Sequence, residues 1–127
     1  MPGMTDWLES QVLNWTLRPG SQVDFTQPEA VYVGLFTTAT GEYGGGVEVS
    51  GGSYARQQVT IGTNGKNTNT ITFPTATSDW GTIVACAIFN ASASGQMLYF
   101  GNLTTSRLVK TGDVFKFEAD NLTVTID

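Results

Sequence analysis

No histidine occurs among the 127 residues of this sequence. A Ser-His-Asp nucleophile is therefore excluded, and so is a zinc site of the usual imidazole and thiolate type. Cysteine occurs once, as Cys86, so no intrachain disulfide can form. Cys86 sits in an apolar run over residues 82–89. There it reads as a small buried hydrophobe, because no base is at hand to activate its thiol. Charge is also scarce. Charged residues make up 13% of the chain, against ~25% in a typical domain. Six bases (Arg18, Arg56, Lys66, Arg107, Lys110 and Lys116) are scattered among eleven acids, for a net charge of −5. No basic cluster exists to neutralise phosphates, so no nucleic-acid partner is expected. No apolar run approaches the ~18 residues of a membrane span, so no membrane partner is expected either. Met1-Pro2-Gly3-Met4 lacks a basic stretch, and no apolar run follows it. A secretory leader is thus not expected, and synthesis in a cytoplasm is. Phosphate loops of the GxxxxGK[ST] or GxGxxG type and calcium loops of the DxDxDG type are missing, so neither cofactor nor metal is expected.

What the chain has instead is Thr, Ser, Asn, Gln and 15 glycines. Thr suits strands, while Gly and Asn suit turns. One helix is predicted, over residues 5 to about 18. Thr5 or Asp6 can cap it, Asp6 and Glu9 have capping-box spacing, and Pro19-Gly20 ends it. Leu8, Val12 and Trp15 form one apolar patch on this helix, and Trp7, Leu13 and Leu17 form a second, broader arc. One stripe suffices to dock a helix on a sheet. Two imply either a sandwich that wraps around the helix or a second contact surface.

From about residue 30 onward the period switches to two. Residues 30–36 are apolar on both faces, which predicts a central strand. Residues 53–61 alternate as a half-buried strand. Asn64-Gly65 signals a hairpin. Further strands are predicted at residues 68–73, 82–89, 96–103, 104–110, 115–118 and 122–126, with 82–89 the most buried. About eight strands at 8–12-residue spacing predict a single all-β domain over residues 1–127, an antiparallel β-sandwich with one N-terminal α-helix.

The most site-like segment is the glycine-rich stretch over residues 41–52. It is acidic through Glu42 and Glu48 and would repel phosphate, so its glycines read as hairpin residues with positive φ. Glu42 with Glu48, or Asp113, Glu118 and Asp120, could be imagined as a glycosidase pair, but exposed acids at turns are the ordinary reading. Two aromatics are candidate glycan contacts. Tyr43 lies amid glycines, and Trp80 lies at a loop end, where plugging the end of the sandwich is the competing role. Tyr54 and Arg56 share a strand face. A cross-strand ion pair accounts for Arg56, and a contact across a subunit interface is the alternative. The candidate interface set is thus Trp7, Leu8, Val12, Trp15, Tyr54 and Arg56. No catalytic residue is assigned.

Three segments together carry a family resemblance: Glu48-Val49-Ser50-Gly51-Gly52-Ser53-Tyr54-Ala55-Arg56, then Phe73-Pro74-x-Ala76 with Trp80-Gly81, and the ending Leu122-Thr123-Val124-Thr125. With the helical opening, the chain from about residue 5 to 127 resembles small phage tail fibre or minor tail proteins of the Gp80-like type. The resemblance implies a virion structural protein made in the host cytoplasm, with no catalytic residues. Its implied partners are other virion proteins, of the tail or the major capsid lattice, and a homo-oligomer is expected. A tail- or fibre-associated protein on the particle exterior is the leading expectation. A capsid decoration (cement) protein is the first alternative, because the chain has neither the heptads nor the repeats of a fibre shaft. A carbohydrate-binding module for host-surface glycans is the second.

Overall fold

The structure is a computed structural model that describes residues 3–23, 26–41 and 45–123. Helix α1 (Asp6–Leu17) opens the fold. Thr5, not Asp6, is its cap. The Thr5 hydroxyl accepts the Leu8 amide at 3.4 Å and donates to the Met97 carbonyl at 2.9 Å. The third helical residue is then Leu8, so the Asp6/Glu9 capping box expected from spacing does not form. The backbone amide of Thr5 also donates to the Leu98 carbonyl at 2.9 Å, which staples the start of the helix to the sheet.

Seven strands follow among the described residues: β1 (Val31–Thr38), β2 (Val47–Glu48), β3 (Gln57–Val59), β4 (Ile71–Thr72), β5 (Gly81–Phe89), β6 (Met97–Val109) and β7 (Lys116–Phe117). All pairings are antiparallel. The larger sheet runs β2-β1-β5-β6, with β3 also paired to β1, and the smaller sheet is β4-β7. The antiparallel sandwich read from the sequence is the observed class. Val33, Leu35, Ile71, Phe73, Ile83, Cys86, Ile88 and Phe115 fill the space between the sheets. Phe36, Ala85, Ala87, Phe89 and Met97 are buried on the other face of the larger sheet. Neighbours on a strand point to opposite faces, so β1 and β5 are apolar on both sides because both sides are covered. Burial pushes the Cys86 thiol up to about 12. Among the described residues no helix is long and apolar enough to cross a membrane.

Several boundaries differ from expectation. The two strands predicted over 96–110 are one. A register shift, with Ile83 opposite Arg107 and Ala85 opposite Asn102, absorbs the extra residues in the middle of β6. The strand predicted over 53–61 shrinks to Gln57–Val59, because Gly51, Gly52 and Ser53 all take positive φ. The short strand β2 was hidden within the glycine-rich segment. Of the predicted strand at 122–126, only Leu122 and Thr123 are described, and Thr123 bridges Lys66. The hairpin at Asn64-Gly65 is present. The Asn64 side chain accepts the Lys66 amide at 3.1 Å, and Gly65 has φ 77°.

One glycine is required by close approach. A Cβ on Gly34 would lie 2.7 Å from a Glu48 carboxylate oxygen and 3.0 Å from the Phe89 ring. Gly34→Ala should therefore cost about 1–3 kcal/mol through overpacking. Denaturant unfolding monitored by tryptophan fluorescence checks this.

Candidate functional site

Two arrangements stand out: a filled gap in a sheet edge, and a helix that outruns its support.

The gap lies along one edge of β1. Strand β3 covers one end of that edge, pairing Val31 with Val59 and Val33 with Gln57. Strand β2 covers the other end, pairing Phe36 with Glu48. Between them, residues 50–56 leave the ladder. The Tyr54 side chain takes the vacated place. Its hydroxyl accepts the Leu35 amide at 2.9 Å and donates to Glu48 Oε2 at 2.6 Å. Arg56 closes the other side. Its Nε and Nη2 each meet a Glu48 oxygen at 2.8 Å, and its Nη1 donates to the Ala91 and Ser94 carbonyls at 3.0 and 2.7 Å. The guanidinium lies 3.5 Å above the Phe89 ring, a cation–π geometry. Burial pushes the Glu48 carboxyl up, but the hydrogen bonds from Arg56 and Tyr54 and the Arg56 charge outweigh it and hold the carboxyl below its ordinary range. Burial and the hydrogen bond to Glu48 hold the Tyr54 phenol far above its ordinary range.

The Tyr54 ring stacks on Phe73 with centroids 6.2 Å apart, and Trp80 meets it edge-on at 5.4 Å. Trp80 is 6% exposed, and its indole N–H donates to the Gly52 carbonyl at 2.9 Å. The two internal segments that carry the family resemblance are therefore one packed unit. Glu48, Tyr54 and Arg56 make its polar half, and Tyr54, Phe73 and Trp80 its aromatic half.

This fixes the place of several candidates. Arg56, with a side chain 9% exposed, makes an ion pair with Glu48 of β2, but from a position off the ladder rather than across two paired strands. Its donors and the Tyr54 hydroxyl are engaged within the chain. Trp80 plugs the core and presents no open face for stacking on a sugar. Tyr43 and Glu42 lie outside the described residues. The remaining acids considered for catalysis hold turns or exposed pairs. Asp113 accepts the Lys110 amide at 2.9 Å, and Glu118 pairs with Lys116 at 3.1 Å. Among the described residues no group of three or more Cys, Asp or Glu is placed to hold a metal ion. Sequence reasoning missed the role of Glu48. The signal was available, since it is an acid flanking the same glycines that precede Tyr54 and Arg56.

The second arrangement is α1 itself. Leu8, Gln11, Val12 and Trp15 have the i, i+3, i+4, i+7 spacing of one helix stripe. The first turn of that stripe is seated. Leu8 is 4% exposed and packs with Met4 and Leu98, while Trp7, Val31 and Tyr99 pack around them. Beyond Gln11 the helix has run off the sheet. Trp15 is 77% exposed and Leu17 72% exposed, and Val12 and Leu13 are exposed too. The patch expected from Leu8, Val12 and Trp15 is thus divided, with Leu8 committed to the core and the other two projecting from it. A groove of about 490 Å³ between the overhang and the following connector is lined by Gln11, Val12, Trp15, Val23 and Gln27. From Ser10 to Leu17 the helix carries no charge. Exposed large apolar side chains clustered in this way exceed the scattered hydrophobes of an ordinary surface.

No curated protein matches the chain. The family described as Podophage GP4 fiber I protein gp80 matches residues 3–125, a span that takes in both the filled gap and the overhanging helix. The resemblance read from the sequence is thereby confirmed, and the chain belongs to the podophage GP4 fiber I protein gp80 family.

Proposed function

We propose that the chain is a non-enzymatic structural protein on the exterior of a phage particle, associated with the fibre or tail, and that the overhanging half of α1 docks it onto neighbouring virion proteins. The family is one of phage fibre structural proteins, which makes a virion component the setting. The observation that carries the docking role is the exposure of Val12, Leu13, Trp15 and Leu17 on one uncharged helical segment. Four large apolar side chains on two helical turns exceed what scattered surface hydrophobes explain. The polar groups that might suggest chemistry, Glu48, Tyr54 and Arg56, are consumed in holding a sheet edge together.

Quantitative mass spectrometry of purified particles tests this reading. The chain should be present at a fixed, low copy number matching the fibre or tail proteins. A copy number on the scale of the major capsid protein would favour capsid decoration instead, a reading supported by the shortness of α1, at 12 residues far from a fibre shaft. Absence from the particle would overturn both.

A further inference from the structure

The hairpin at Asn64-Gly65 takes no part in either the filled gap or the overhang. Asn64 is the only asparagine in the chain that is followed by glycine. Glycine lacks the Cβ that would crowd the approach of its own amide nitrogen to the preceding side-chain carbonyl. Asn64 is exposed, so hydroxide and water reach it. Two hydrogen bonds engage the reacting groups elsewhere. The Gly65 amide donates to the Gly62 carbonyl at 3.0 Å, and the Asn64 side-chain carbonyl accepts the Lys66 amide at 3.1 Å. The turn is also clamped at its base. The Gly62 amide donates to the Lys66 carbonyl at 2.9 Å, Ile61 bridges Asn67, and Lys66 bridges Thr123.

We propose that Asn64 is the site at which this chain undergoes spontaneous deamidation, and that the clamped turn sets the rate. Solvent hydroxide takes the proton from the Gly65 amide nitrogen. That nitrogen attacks the Asn64 Cγ, the Cγ–Nδ2 bond breaks, and Nδ2 leaves as ammonia after taking a proton from water. Water then hydrolyses the five-membered succinimide. Opening one of its carbonyl–nitrogen bonds yields aspartate, and opening the other yields isoaspartate. One water is consumed and one ammonia released, with no oxidation or reduction. Ring closure needs the Gly65 proton free of the Gly62 carbonyl and the Asn64 side chain turned away from Lys66. The opened turn meets both conditions, so the rate scales with the fraction of time that the turn is open. Every other asparagine precedes a residue whose Cβ hinders the attack. The product adds one negative charge to a chain of net charge −5. Isoaspartate also inserts a methylene into the main chain between Gly62 and Lys66, the two ends that the 2.9 Å bond joins. Deamidation therefore loosens the Lys66–Thr123 bridge and alters the wall that Gly62, Thr63 and Gly65 give to an apolar groove of about 390 Å³. The docking role of α1 is independent of this chemistry.

The test is incubation of the purified chain at mildly alkaline pH, folded and in urea, followed by peptide mapping with mass spectrometry and enzymatic detection of isoaspartate. The mass gain of an amide-to-acid exchange should build up at Asn64 before any other asparagine. It should build up at least about tenfold more slowly in the folded chain than in urea, the retardation of a turn that opens only transiently. Lys66→Pro removes the amide that holds the Asn64 side chain and keeps the Asn64-Gly65 pair intact, so it should speed the reaction of the folded chain toward the rate in urea. The deamidated fraction, separated by anion exchange, should melt below the unmodified chain. A first gain at another asparagine, or none at Asn64 in either state, would overturn the site. Equal rates in the folded and unfolded chain, or an unchanged rate in a folded Lys66→Pro chain, would overturn the control by the turn. If Lys66→Pro does not fold, the comparison of folded with unfolded wild type decides. A deamidated fraction that melts with the unmodified chain would overturn the effect on the bridge.

Discussion

Arg56→Ala should cost about 3 kcal/mol of folding stability, the lower end of the range for breaking a buried ion pair by removing one partner. The lower end applies because the Glu48 side chain keeps some contact with water, at 23% exposure. The loss has three sources. Glu48 is left half-buried without its bidentate partner, the Ala91 and Ser94 carbonyls lose their donor, and Phe89 loses the guanidinium that covers it. Arg56→Lys should recover little, because an ammonium cannot meet both Glu48 oxygens and two carbonyls at once. Chemical denaturation with a common slope is the measurement.

The same network dictates how stability depends on pH. The folded Glu48 carboxyl titrates below its ordinary 4.5. Its contribution is therefore full above that ordinary value and is lost as pH falls through the lower, folded one. The Tyr54 phenol is raised above its ordinary 10, and the Cys86 thiol from 9 to about 12. Both contributions are full below the ordinary values and are lost as pH climbs past them, since the unfolded chain then releases protons that the folded chain keeps. Stability should decline below about pH 4 and again above about pH 9. Glu48→Gln should flatten the acid limb and weaken the alkaline limb without abolishing it, because burial alone still raises the Tyr54 phenol and the Cys86 thiol.

These residues also show how far the sequence could be read. The double-faced apolarity of residues 30–36 reports burial on both sides directly, and β1 is the central strand it predicts, paired with β5, whose segment reads as the most buried. Strand β2 left no such trace. Two residues carry no periodicity, and Val47–Glu48 is a strand only because Phe36 stands opposite Glu48 in a distant register. The alternation at 53–56 was real, but it places Tyr54 and Arg56 to fill a gap in the ladder rather than to continue it. Their spacing from Glu48 makes sense only once the glycines between them fold back. In α1, the two apolar patches were visible from periodicity alone. What periodicity cannot reveal is where the sheet beneath a helix ends, and that edge is what divides the buried Leu8 from the exposed Trp15 on a single stripe.

Charging the outer face of the overhang should have the largest effect on function. Leu13→Glu with Leu17→Glu leaves the seat of the helix untouched, because Met4, Leu8 and Leu98 make that contact and neither substituted residue does. Both positions are exposed in the isolated chain, so folding stability should change by no more than about 0.5 kcal/mol. In an interface the same two carboxylates would be desolvated without partners. A disrupted apolar anchor costs about 2 kcal/mol or more, roughly thirtyfold in affinity per position. An unpaired buried charge adds to that.

The decisive measurement is the copy number of this double variant in particles assembled without the wild-type chain, quantified by mass spectrometry alongside the thermal stability of the free protein. The account predicts a folded chain of near wild-type stability that is missing from the particles. A variant that is folded and present at the full wild-type copy number would contradict the assignment of the overhanging helix as the surface that docks this protein in the virion.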